Sequence, residues 1–222
     1  MDRTIEGTMI DSETLALGPR ALIWEIAAVP FRISITGDGA TWETTAQPYH
    51  TIIDYADMST RGFDVDMQTI AWTGGKRRGD VSWDIWREKH FNPGADLAAL
   101  PGAGVKLHVP DIALFNLWRI AEDKPVWFRN AAFDVPAIEN LAIACKKDMP
   151  WHRRQQSDLY TQINMIKQFM DYDDKLPAAV EHSARADAIA QIGQLTDICG
   201  QLYSGRQPAP DQCPHVADVN EL

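Results

Sequence analysis

Thr8-Met9-Ile10-Asp11-Ser12-Glu13-Thr14-Leu15 is the stretch on which the reading of this chain turns. Thr8-Met9-Ile10 reads as a short buried strand that runs into Asp11. Strand side chains alternate, so Asp11 and Glu13 point to one face. Two neighbouring carboxylates repel unless something positive lies between them. A divalent cation with a taste for hard oxygen, Mg²⁺ or Mn²⁺, would fill that role. An isolated Asp-x-Glu is also met as solvated acids at a strand end, so the rest of the chain must decide.

Working outward, Ala21 to Ile35 is a dense apolar run that predicts a second strand extending past Pro30. Gly37-Asp38-Gly39 is a turn signal, and Thr41 to Ile53 is expected to return as a strand, giving an antiparallel meander. Asp66 to Trp72 predicts a short helix closed by Gly74-Gly75, and Ser82 to His90 another with Ser82 as its N-cap. Residues 92–104, rich in Gly, Pro and Ala, predict a loop or broken helix. Pro110 to Ile120 carries helical periodicity, and Pro125 to Phe128 reads as a short buried strand. Helices are expected from Asp134 to Cys145, from Leu159 to Met170 and from about Ala184 to Leu202. The last should bury Ile189, Ile192, Leu195, Cys199 and Leu202. Strands first, then helix–strand–helix, then helices predicts an α/β fold: a mixed sheet, antiparallel at its start and then parallel, flanked by helices. Residues 1–204 form the expected domain and 205–222 a loosely ordered tail.

The formal net charge of −10 argues against coating nucleic acid through a broad basic surface. It is compatible with holding a nucleic-acid end through bound metal ions. Cys145, Cys199 and Cys213 show no disulfide spacing and point to a reducing compartment. No window reaches the roughly 18 apolar residues of a membrane span. The first residues also lack a basic segment followed by an apolar run, so a cytoplasmic location is expected.

Three further residues could join Asp11 and Glu13. Asp134 follows a strand and opens a helix, where Asp also serves as an N-cap, with Pro136 in the first turn. His182 and Asp187 would lie roughly 140° apart on one continuous helix and would not converge. They can share a mouth if His182 precedes the helix and Ser183 caps it. The order of these residues resembles the DnaQ-like, or DEDDh, 3′→5′ exonuclease superfamily, with its ribonuclease-H-like fold. Asp11-Ser-Glu13-Thr14-Leu15 matches the first motif, Asn130-Ala-Ala-Phe-Asp134 the second, and His182-Ser-Ala-Arg-Ala-Asp187 the third. Within it the chain most resembles small phage and bacterial exoribonucleases related to the exonuclease-VIII-like domain. Gln68-Thr-Ile-Ala-Trp72, Ser157-Asp-Leu-Tyr-Thr161 and Asp187-Ala-Ile-Ala-Gln191 support this. Departures include Leu15-Ala16-Leu17 before Gly18, Tyr160 where relatives often carry Arg, and Gly74-Gly75 where they often carry an aromatic.

That resemblance implies a metal-dependent 3′→5′ exonuclease, acting on 3′ ends of RNA or single-stranded DNA and releasing nucleoside 5′-monophosphates. It implies two divalent cations, Mg²⁺ or Mn²⁺, held by Asp11, Glu13, Asp134 and Asp187, with neutral His182 as general base. Thr14 and Leu15 would hold the terminal nucleotide, Phe133 would stack on a base, and Asp158 would support the metal ligands. A nucleic-acid-binding module of the same fold with weak turnover, and a small-nucleotide phosphohydrolase, are the alternatives. A homodimer is left open. Trp24, Trp118 and Trp127 are expected in the core, and Trp72, Trp83, Trp86 and Trp151 are candidate stacking surfaces. Lys76-Arg77-Arg78 reads as a solvated loop, Arg153-Arg154 as a loop or phosphate contact, and Cys213-Pro-His215 as an incomplete zinc pair.

Overall fold

The computed structural model describes residues 2–54, 62–77, 80–92, 94, 96, 106–175 and 183–203. Its centre is a mixed sheet with strand order β5-β4-β2-β1-β6-β7, with β3 also paired to β2. β1 (Arg3–Thr14) and β2 (Ile23–Thr36) form a long antiparallel pair. The expected single return strand is two: β3 (Gly39–Thr44) pairs with the far half of β2, and β4 (Tyr49–Ile53) with its near half. β5 (Lys106–His108) joins β4 in parallel. β6 (Val126–Phe128) lies parallel to β1, and β7 (Gln156–Asp158) parallel to β6. The sheet is thus antiparallel through its first strands and parallel beyond β1, as a ribonuclease-H-like α/β fold requires.

Helices cover both faces. Alternation on β1 sends Ile10 to one core and Met9 to the other. The first core lies under α1 (Met67–Lys76), α2 (Val81–Phe91), α3 (Pro110–Ala121) and α4 (Ala131–Ala144). The second lies under α5 (Leu159–Ile166) and α6 (Ala184–Tyr203). At the β1–β6 seam, Gly7 lets the strands close: a Cβ there would sit 2.8 Å from both the Pro125 carbonyl and the Trp127 ring.

Several expectations are corrected. α1 runs through Gly74-Gly75, because the Trp83 ring packs where a Cβ on Gly74 would come within 3.2 Å. Asp80, not Ser82, caps α2, accepting from the Trp83 N–H at 2.9 Å, and Ser82 is buried. α4 begins at Ala131, so Asp134 is in its first turn rather than at its cap, and Pro136 lies inside the helix. α5 is shorter than expected, and Leu202 is exposed at the end of α6. Trp83 and Trp86 are core residues, stacked at 4.9 Å beside Trp24, and Trp151 is buried against Phe128. Trp118, expected inside, is 48% exposed and lines a cavity of about 290 Å³ with Phe115 and Met149. Most of the 92–104 segment, and all of 205–222 with Cys213 and His215, lie outside the described residues.

Candidate metal centre

β1 outruns its parallel neighbour. The β1–β6 register stops at Met9↔Trp127, so Asp11 and Glu13 lie beyond the end of β6, where that edge of the sheet opens. Both acids share the Met9 face, the one covered by α6. Asp187 occupies the first turn of α6, its N–H donating to the Ser183 carbonyl at 2.8 Å. One carboxylate oxygen from each of Asp11, Glu13 and Asp187 falls within 4.8 Å of the others. Hard anionic oxygens at that spacing fit a hard divalent cation.

Asp134 comes from the opposite face. Ser12 points away from Asp11 and Glu13, and its hydroxyl donates to Asp134 Oδ1 at 2.6 Å. The two helical layers therefore meet around the end of β1, and the Asp134 charge acts on Asp11. Asp158 holds α4 in place: Oδ2 accepts from the Ala131 N–H at 2.7 Å, while Oδ1 caps α5 through the Thr161 N–H at 2.6 Å. Asn130, formally the α4 cap, makes no side-chain capping bond, so the cap comes from β7.

The electrostatics are those of crowded acids. Burial, then the charges of Asp134 and Asp187, push Asp11 well above the usual carboxylate range. Burial, then Asp11 and Glu25, do the same to Glu13, with Arg77 opposing them. Burial raises Asp134 to about 7 against the lowering effect of its Ser12 hydrogen bonds. A cation binding among these acids would relieve that repulsion.

The structure places the other expected residues as follows. His182 lies outside the described residues, next to Ser183 before α6. Thr14, at the end of β1, donates its hydroxyl to the Ala16 carbonyl at 2.9 Å. Phe133 is half-buried beside Asp134. Leu15 is fully buried in the first core, with its N–H donated to Leu22 and its carbonyl accepting from Asp66. Arg153 and Arg154 stand exposed in a short 3-10 turn on the far end of β7.

Two further features escaped the sequence reading. Glu25, opposite Glu13 on β2, is fully buried. It bonds His50 Nε2 at 2.6 Å and Arg77 Nη1 at 2.9 Å, and the Ala184 N–H at the start of α6 lies 3.4 Å away. Arg77, read as a solvated loop residue, is 1% exposed, bonded also to Asp80 and stacked over Trp24. The signal was available: a Glu inside the run Leu22–Val29 cannot be buried without partners. The second feature is Gln191, whose amide reaches Asp11 at 2.6 Å.

A ribonuclease-H-like sheet with carboxylates gathered at the end of its central strand defines a class of nucleases. Sequence comparison specifies the family: residues 6–199 match the Rv2179c-like 3′-5′ exoribonuclease domain, and the chain belongs to that family. It is a nuclease of the hydrolase class. No curated protein matches the chain. Among the described residues no helix is long and apolar enough to cross a membrane.

Proposed function

We propose that this protein is a metal-dependent exoribonuclease that removes nucleotides from the 3′ end of RNA and releases nucleoside 5′-monophosphates. The observation that carries the reading is the Asp11–Glu13–Asp187 trio, with oxygens within 4.8 Å, inside a chain of an exoribonuclease family. Asp11, Glu13 and Asp187, with Asp134 from the opposite face, would hold two divalent cations, Mg²⁺ or Mn²⁺. Four carboxylates balance the charge of two such ions. When bound, the ions supply Lewis acidity at the scissile phosphate and the leaving oxygen.

The chain's own groups do the rest. His182, neutral, accepts the proton of the attacking water as general base. Thr14 and the adjoining Leu15, with the half-buried ring of Phe133, position the terminal nucleotide. Asp158 keeps α4, and with it Asp134, in register through its bond to the Ala131 N–H. The net charge of −10 makes metal occupancy a condition for admitting a polyanion.

The test is a time course on RNA and DNA labelled at either end, single- and double-stranded, with Mg²⁺, Mn²⁺ or chelator. Expected is metal-dependent shortening from the 3′ end with release of 5′-monophosphates, faster on RNA. Cleavage of a circular single strand, or turnover of mononucleotides alone, would sink the reading.

A further inference from the structure

We propose that Gln191 is a positioning residue that fixes the Asp11 carboxylate for metal binding through a neutral N–H donor. This rests on the reading of the acidic cluster as a metal site. Gln191 lies four residues after Asp187 on α6, so the two side chains share one helix face above the end of β1. It is 1% exposed, and its Nε2 donates to Asp11 Oδ1 at 2.6 Å. A carboxamide buried to this degree costs stability unless its hydrogen bonds are made. Yet its Oε1 has no hydrogen-bond partner among the described residues. The position thus keeps a polar group that is only half satisfied, and the half that is satisfied is the bond to Asp11.

The chemistry of the site explains why a neutral donor is used. Asp11 sits amid the charges of Asp134, Asp187 and Glu25, all of which oppose its ionisation and push its carboxylate away. One oxygen must be pinned for the other to face a cation. A Lys or Arg donor would pin it too, but would bring a positive charge that competes with the metal. A carboxamide donates an N–H with no net charge. When a bound cation keeps Asp11 ionised, its carboxylate only accepts, and the amide must then present Nε2 to it, as found.

The experiment is Mn²⁺ binding followed by electron paramagnetic resonance of free ion, on wild type, Gln191→Met and Gln191→Leu. Thermal unfolding in chelator runs in parallel. Both variants lack a donor and are apolar, so both should stay folded without metal. Each should bind Mn²⁺ roughly 10–100-fold more weakly than wild type, the usual effect of losing a group that orients a metal ligand. Affinity within about twofold of wild type in either folded variant would overturn the proposal. So would loss of the folded state in chelator for both, because a positioning role leaves the metal-free chain intact. If wild type itself binds no Mn²⁺, the metal-site reading fails first, and that outcome is distinct from a failure at Gln191 alone.

Discussion

Arg77→Met removes the buried cation next to the acidic cluster while keeping an unbranched chain over Trp24. The side chains of Arg77 and Glu25 are 1% and 0% exposed and lie 2.9 Å apart. Removing Arg77 leaves the buried Glu25 with His50 and the Ala184 N–H but without its guanidinium; breaking a buried pair of this kind costs about 3–5 kcal/mol. A fold of this size loses roughly 2–4 °C of Tm per kcal/mol, so the variant should melt roughly 6–20 °C below wild type. Circular dichroism melting in chelator near neutral pH measures it. The cost should be a property of the pair rather than of the arginine. Arg77→Met with Glu25→Gln removes both charges and should recover most of the loss. A single variant melting within ~2 °C of wild type would refute the reasoning. So would a double variant no more stable than Arg77→Met.

Other outcomes follow from the same site. Asp134 is raised to about 7 in the folded state, so metal-free wild type binds extra protons between the ordinary carboxylate range and that value. Its stability contribution is therefore lost as pH rises through that window. Asp134→Asn should flatten the dependence and be the more stable protein at alkaline pH in chelator, by equilibrium urea unfolding. For the same reason protons compete with metal, and the Mn²⁺ needed for half-maximal activity should fall as pH rises through about 7. Asp11→Asn or Asp187→Asn should abolish RNA shortening on labelled substrate yet leave the far-ultraviolet spectrum unchanged. His182→Ala should slow turnover by roughly 10²–10⁴-fold while Mn²⁺ still binds; near-normal rates with an unchanged acidic limb in the pH–rate profile would remove His182 from the role of base. Asp158→Ala should cost about 1–2 kcal/mol in urea unfolding, because its carboxylate serves the N-termini of both α4 and α5.

The sheet and the acids were legible for different reasons. Apolar alternation and turn chemistry are local, so β2, the Gly37–Gly39 turn, α3 and α6 fall close to where periodicity puts them, whereas β1, expected as a short strand from Thr8, runs from Arg3 to Thr14. Asp11 and Glu13 were visible because strand geometry alone puts them on one face. What failed was non-local. Asp134 looked like a cap because Asp favours that position, but β7 supplies the cap from Asp158. Gly74-Gly75 looked like a stop, yet a tryptophan from the next helix fills the space that the glycine leaves. Arg77 looked solvated because its flanking residues are basic, while its partner Glu25 is on β2, 52 positions away. Trp118 looked buried from its apolar neighbours, but α3 turns that face outward. Gln191 stands in a stretch that carries the resemblance, but its bond to Asp11 spans 180 positions and has no local signal.

That span has a consequence for synthesis. α6 packs across β1 and β2, so the first strand of the chain receives its covering layer from the last helix. At about 5–20 residues per second, Asp187 is made roughly 10–35 s after Asp11. Until then Asp11 and Glu13 lack the nearby Asp187 carboxylate, and Asp11 lacks its hydrogen bond from Gln191. A nascent nuclease whose acids were contiguous could attack RNA while still attached to its ribosome and message. This topology brings Asp187 beside Asp11 and Glu13 only after nearly the whole domain has been made; with that trio as the proposed metal centre, activity is expected to begin only then.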